Sequence, residues 1–534
     1  MSKNNEISAL AEGKAGKMEN NENVISYKRC AFLKEVVSDV GCDFTLPDYL
    51  GDIKRIVMTQ EQLSTGGAYF EAGQIFGSGV VSYNVIYVDS EGKLTSAEFS
   101  KEYECCARCD KDTLSDTLLT SRIVNSVVRA TTPRKLVAKS TVASSLRGFS
   151  DEAIIIPEDL TGGKLEFKDE VTSVRTTSIT HLAEREYAER LCMLEGVMAD
   201  DLTIVTRSAR PEIKSVVADG GMIVVRGEVR VECAVMCAPL APTVHTLMLE
   251  INEECPLKCR DAISLCAIPN VSSLTVNAQP TDDGCEVLCD LILEITVVED
   301  ENLVVSLPTD AYAPGKEAAL EYNTVTLESV VGAINETKKC EMRIGREELG
   351  LADARDIIIT DATVRTDPAR MDGDTLFLTG EIKYAGAATQ VSEDGTLNYV
   401  SFKKTVPYKH IVNNTCQNNG NITYDIHTTV SDVCCMIDKG EAVLSCTLDF
   451  KGIAVSERPY SYICSVDIRE TDKQRTPRKI VVYYPDKEES LYEVAKRFDT
   501  TSSAVANINS LGIDVATTPA QKGGLSGVKR LIIY

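Results

Sequence analysis

The feature that most restricts this chain is an order of segments that occurs three times. The first occurrence runs from ISYKRCAFLKEVVSDV through FTLPDYLGDIKRIVMTQ to AGQIFGSGVVSYNVIYVDSEGKLTSAEFSKEYECC. In it Val81, Tyr83, Val85 and Tyr87 alternate along one run, and Asp89 to Lys93 forms a Gly-containing turn, so a β-hairpin is predicted. A β-rich half from Ser121 to Phe149 completes it. ARPEIKSVVADGGMIVVRGEVRVECAVMC, from Ala209, repeats the type and order, and DARDIIITDATVRTD begins a third copy near Leu351. The lead-ins correspond too: LEFKDEVTSV from Leu165 parallels LEYNTVTLESV from Leu320. A period of roughly 140 to 160 residues is a domain's length rather than a solenoid's. The strands are short and often turned, which argues against a parallel α/β sheet. The expected fold class is therefore mainly β: three tandem antiparallel β-rich repeat domains at 24–150, 165–310 and 320–470. Whether they are sandwiches or open sheets stays undecided at this level.

The last 55 residues follow a different rule. Ile480 to Tyr484 is a β-branched and aromatic run that Pro485-Asp486 ends. Ser490 stands three residues before Glu493, a capping box at a helix start. Leu491, Val494, Ala495 and Phe498 then make one apolar stripe. Thr501 is placed to cap a second helix with Val505, Ile508 and Leu511 inward and Gly512 as its stop, and Val528 to Tyr534 reads as a closing strand. The order is β-α-α-β over 480–534, joined to the repeats by a polar, basic linker at 471–479.

Composition limits function more than fold. Acidic residues outnumber basic ones by 80 to 56, a formal charge of −24, which repels nucleic acid and anionic lipid. No apolar run approaches the roughly 20 residues that span a bilayer. Residues 1–23 lack an apolar signal core and read as a disordered polar tail, so a cytoplasmic protein without membrane insertion is expected. Nineteen cysteines in such a compartment are better explained as buried small apolar residues than as disulfides. Cys233/Cys237 and Cys285/Cys289 are spaced by four within strand-like runs. Four strand residues span about 13 Å, too far to share one zinc. Only Cys106/Cys109 keeps the tight spacing of a zinc knuckle. No metal and no cofactor is expected.

Two resemblances follow from these residues. The C-terminal segment, with SLYEVAKRF followed by SSAVANINSL, resembles a LysM module, in which Leu491, Ala495, Phe498 and Asn509 match the usual helical positions. It departs where Lys487-Glu488-Glu489-Ser490 replaces the usual Gly-Asp-Thr turn, and where GGLSGVKR replaces a shorter lead into the last strand. The repeats, with Leu46-Pro47, Ile53 and Ile56, the strand from Gly79 to Tyr87 and the DAYAP box at Asp310 to Pro314, resemble the SPOCS domain. Several such domains before one LysM module is the layout of the SipL-type spore-coat morphogenetic proteins. That resemblance implies a mother-cell scaffold at the forespore surface, whose LysM module docks on the coat's basement-layer morphogenetic ATPase and which meets other coat proteins.

The residues alone identify no active site. The four histidines, His181, His245, His410 and His427, are not spaced with a second ligand, and Gly77-x-Gly79 opens no helix that would cradle phosphate. A non-enzymatic adaptor is the expectation. Its partner-binding residues would be Tyr484, Pro485, Asp486 and Lys487 at the first turn, with Asn509 beside them in a LysM-type groove. The competing reading is a peptidoglycan or N-acetylglucosamine binder using the same module, although the chain has no Trp for a sugar-stacking platform.

Overall fold

The computed structural model describes residues 24–156, 165–237, 241–373, 375–391, 397–413, 421–470, 480–486, 489–511, 525 and 528–534. The tail at 1–23, the linker at 471–479 and Lys487 lie outside the described residues. The protein is mainly β, with 80% strand in multiple small antiparallel sheets and two short C-terminal helices.

One pairing scheme recurs along the chain. In the first block β1 (Val24–Thr45) pairs antiparallel with β6 (Lys135–Ile155), which also pairs β5 (Asp116–Thr132). Between them β2 (Ile53–Glu71), β3 (Gln74–Asp89) and β4 (Leu94–Arg108) form a separate meander. In the second block β7 (Glu166–His181) and β8 (Arg185–Glu195) pair successive stretches of β13 (Gly284–Tyr312), whose other edge takes β12 (Ala262–Thr281). The meander there is β9 (Leu202–Asp219), β10 (Met222–Cys237) and β11 (Thr243–Pro256). In the third block β14 (Lys316–Gly345) pairs β20 (Glu441–Glu470), which pairs β19 (Asn421–Asp438). Its inner sheet holds β15 (Ala354–Thr366), β16 (Arg370–Asp372), β17 (Thr375–Val391) and β18 (Leu397–Asn413). The first and last strands of each block thus close over an inserted meander.

The two sheets of a block face each other. In the first block Val40 and Ala138 of the outer sheet pack on Val81, Tyr83 and Tyr103 of the meander. The close approach explains a glycine: a Cβ on Gly79 would stand 2.6 Å from the Ser64 carbonyl oxygen and from the Tyr103 hydroxyl. The predicted hairpin is present, with Asp89 Oδ1 accepting from the backbone N–H of Glu91 at 3.0 Å and of Lys93 at 2.8 Å. The Leu46-Pro47 lead-in also has a structural use. Leu46 is buried, and Arg134 donates to the carbonyls of Leu46 at 3.2 Å and Pro47 at 3.0 Å, tying the outer sheet's turn to the start of the meander.

The blocks are not strung out as beads. One apolar cluster joins Met58, Ile86 and Leu94 to Val205 and Met236 and to Ile359 and Tyr399, so all three meanders meet in it. A second joins Tyr27 and Ile154 to Val305 and Leu307 and to Leu327 and Tyr462 of the outer sheets. Each seam draws on every block, which makes the β body one assembly around a shared contact.

Candidate functional site

The C-terminal module is built as β21 (Val481–Tyr483), α1 (Leu491–Arg497), α2 (Ser502–Ile508) and β22 (Leu531–Ile533). The expected capping box is present: Glu493 N donates to Ser490 Oγ at 3.2 Å, and Ser490 N donates to Glu493 Oε2 at 3.0 Å. The bond from the Ser490 backbone N–H, with Lys168 Nζ nearby, holds the Glu493 carboxyl below its usual pKa. Thr501 caps α2 by accepting from Ala504 N at 3.1 Å. Phe498 and Leu511 pack on the module's core as expected, each at or just past the end of its helix. Phe498 is the C-cap of α1, continues its apolar stripe, and packs edge-on to Tyr483 with ring centroids 5.2 Å apart. The second helix stops at Ile508, with Asn509 as C-cap and Ser510 at φ 52°, so the chain turns before Leu511.

The module does not stand apart from the β body. Tyr492, which the apolar stripe omitted, is buried edge-on against Tyr312 with centroids 5.2 Å apart. Tyr312 Oη donates to Thr500 O at 2.8 Å, and Gly315 N donates to Asp499 Oδ1 at 2.7 Å. Lys496 Nζ lies 2.7 Å from Asp310 Oδ1, and Lys168 Nζ 3.0 Å from Glu493 Oε1. The DAYAP box, noticed in sequence as a repeat end, is therefore the corner on which the helices sit.

With the helices facing that corner, the two-stranded sheet turns its other face outward. Strand alternation puts Leu531 and Ile533 inside, and Val482 pairs directly with Ile532 on the outside. Ile480, Val482, Tyr484, Ile532 and Tyr534 are between 39% and 74% exposed, a run of large apolar side chains on a 55-residue segment. Lys529 and Arg530, also exposed, stand next to it in sequence.

The residues singled out from sequence are distributed as follows. Tyr484 belongs to this outer face, Pro485 is half-buried and Asp486 is exposed at the turn. Asn509 is occupied: its Nδ2 donates to Val505 O and to Ile532 O, both at 2.8 Å, and its Oδ1 accepts from Ile532 N at 2.6 Å. It ties α2 to β22. Glu489, in the segment that replaces the Gly-Asp-Thr turn, is buried, accepts from Tyr483 Oη at 2.8 Å and pairs with Arg497 at 2.8 Å.

A cavity of about 410 Å³ lies where the outer sheets meet, lined from all three blocks. Two ion pairs line it: Arg147 holds Asp425 in a two-pronged pair at 2.5 and 2.8 Å, and Arg175 Nε lies 2.7 Å from Asp300. Burial pushes the His427 imidazole below its usual pKa. These pairs join β6 to β19 and β7 to β13, a lock between strands rather than a reaction centre. The described cysteines are free thiols. Burial pushes Cys233 up to about 12 and Cys289 to about 11, far from a reactive thiolate. Cys106 is exposed whereas Cys109 is buried beside Ile75 and Leu146. Among the described residues no group of three or more His, Cys, Asp or Glu is placed to hold a metal ion, and no helix is long and apolar enough to cross a membrane. Comparison with known protein families, with curated proteins and with solved structures finds no match to this chain.

Proposed function

We propose that the chain is a non-enzymatic adaptor of spore-coat assembly, with three SPOCS-type β domains as its body and a LysM-type module as its docking head. In this reading it acts in the mother cell at the forespore surface, where the module engages the basement-layer morphogenetic ATPase and the β body meets other coat proteins. The observation that carries the docking role is the outer face of the β21–β22 sheet. Its apolar side chains lie away from the corner that fixes the helices. An exposed apolar patch with nearby polar groups is how a protein-binding surface presents itself. Asn509, expected beside the groove, spends its side-chain amide on the main chain of Val505 and Ile532. The docking surface is therefore assigned to Val482, Tyr484 and Ile532 in place of the groove beside Asn509.

The test is capture from sporulating cells with the full chain, a chain ending at Thr471, and the double variant Val482→Glu, Ile532→Glu. The full chain should retain the ATPase and the other two should not. Both substituted side chains are exposed, so each single variant should change stability by about 0.5 kcal/mol or less; the two glutamates of the double variant face each other across the strand pair, so its melting temperature and the capture by each single variant are measured alongside. Undiminished capture by the double variant would remove the sheet face from the reading. Saturable binding of chitin oligomers by the full chain, with no ATPase captured, would replace the adaptor by a wall-binding protein.

A further inference from the structure

The register of the third block's outer sheet sets two cysteines face to face. Cys340 of β14 stands directly opposite Cys446 of β20. Among the described residues no other two cysteines are opposed in this way: Cys106 faces Phe76, Cys285 faces Pro280 and Leu194, and Cys435 faces Leu444. Directly opposed residues of an antiparallel pair have Cα atoms about 4.5 or 5.5 Å apart, according to the hydrogen-bonding pattern at that point. Both spacings fall inside the range of about 4.4–6.8 Å that a disulfide bridges. The two side chains also leave the same face of the sheet, so the backbone already holds both sulfurs on one side.

The surroundings of the two thiols differ. Cys446 lies on the central strand of the sheet and is buried in the core of the block. Tyr384 Oη, from the facing meander, donates to its Sγ at 3.1 Å. Cys340 is half-buried on β14, which forms the sheet's edge. Burial raises both thiols, Cys446 to about 11. At Cys340 the rise is opposed by the Lys338 ammonium, two residues away on the same face of β14, and by the Cys446 thiol, which donates to it. Cys340 is therefore the sulfur that ionises first and meets solvent. Cys446 is held against it, with the Tyr384 hydroxyl placed to support its charge when its proton leaves.

We propose that Cys340 and Cys446 form an oxidative modification site that a peroxide closes to a disulfide. The Cys340 thiolate attacks one oxygen of hydrogen peroxide, the O–O bond breaks, and hydroxide leaves as Cys340 becomes a sulfenic acid. The Cys446 sulfur then attacks Cys340 Sγ, the S–O bond breaks, and the oxygen departs with the Cys446 proton as water. Two thiols and one peroxide give one disulfide and two waters, two electrons passing from sulfur to oxygen. The new bond ties the first strand of the third block to its last, with the inner sheet and β19 between them. A tie that closes a loop of about a hundred residues restricts the unfolded chain strongly and so favours the closed block.

The experiment treats the full, reduced chain with a small excess of hydrogen peroxide, alkylates the remaining thiols, digests without reductant and maps the peptides by mass spectrometry. A peptide joining Cys340 to Cys446 should be the first linked pair to form, and dithiothreitol should return both to alkylatable thiols. Cys446→Ala should strand Cys340 as the sulfenic acid, trapped by dimedone at several times the wild-type yield. Cys340→Ser, a change at a half-exposed edge position, should leave Cys446 alkylatable after peroxide. Oxidation should raise the melting temperature of the wild type by about 3 °C or more relative to Cys340→Ser treated alike. Cys446 as fully alkylated after peroxide as before overturns the proposal, and so does Cys340 linked by preference to any other cysteine. An equal dimedone yield in wild type and Cys446→Ala, or a linked chain no more stable than the reduced one, overturns it as well.

Discussion

The β body and the C-terminal module are held together by different means. The body has apolar seams to which every block contributes, together with ion pairs such as Arg147–Asp425 that cross from one block to another. The module has a core of its own, but it touches the body at one corner, through Tyr312, Asp310, Glu166 and Lys168. Shared apolar seams couple unfolding, because separating the blocks exposes surface in all of them at once. A single corner of hydrogen bonds around one aromatic pair is a local contact that opens without disturbing the rest. The body is therefore expected to unfold as one unit, and the module to come and go from it.

The largest expected effect tests the first half of that contrast. Phe450 is fully buried in the third block, against Tyr408 and His410. Phe450→Ala should cost about 3–5 kcal/mol, and the loss should appear in hydrogen exchange of the first and second blocks as well as the third. Destabilisation confined to residues 316–470 would mean that the seams do not couple the blocks. The next tests the corner. Tyr312→Ala removes the aromatic pair and the bond to Thr500 O, with an expected loss of about 2–4 kcal/mol from docking. Exchange protection should fall in Leu491–Ile508 while the body's denaturation midpoint stays close to wild type; a large shift of that midpoint would merge the two regions again.

The smallest effect concerns the ion pair and pH. Burial alone would raise the Asp425 pKa, but the Arg147 guanidinium outweighs it and leaves the carboxyl below its ordinary value. A carboxyl depressed by folding stabilises fully above its unfolded pKa, about 3.9, and that contribution is lost as pH falls through the lower folded value. Asp425→Asn should thus weaken the body at pH 7 and make its stability less dependent on pH below about 4. The side chains are 25% and 43% exposed, which discounts the figure for a buried pair to about 1–2 kcal/mol. An unchanged urea midpoint at pH 7 would show that apolar packing alone holds β6 to β19.

What could be read in the sequence was what short range decides. The Asp89–Lys93 hairpin and the Ser490–Glu493 cap are made by residues two to four apart, so their chemistry is visible in a few letters. Asn509 shows the opposite case. Its matched position suggested a ligand groove, but its partner is the main chain of Ile532, 23 residues on. Tyr492 fell outside the helical stripe because its neighbour, Tyr312, belongs to another part of the chain. That Gln60, Asn84 and Glu98 stand opposite one another depends on register between β2, β3 and β4, and alternation fixes which face a residue occupies but not what stands across from it.

The corner at Asp310 to Gly315 also decides how the molecule bears load. The chain leaves the second block there, runs through the whole third block, and brings the module back to the place it left. A pull on the module therefore passes first through the Tyr312 and Asp310 contacts into the second block, and the covalent route through the third block lies in parallel with that clasp. While the clasp holds, the third block feels no tension. Once it yields, force reaches β20 and its pairing with β14, and through the shared seams it is borne by all three blocks together.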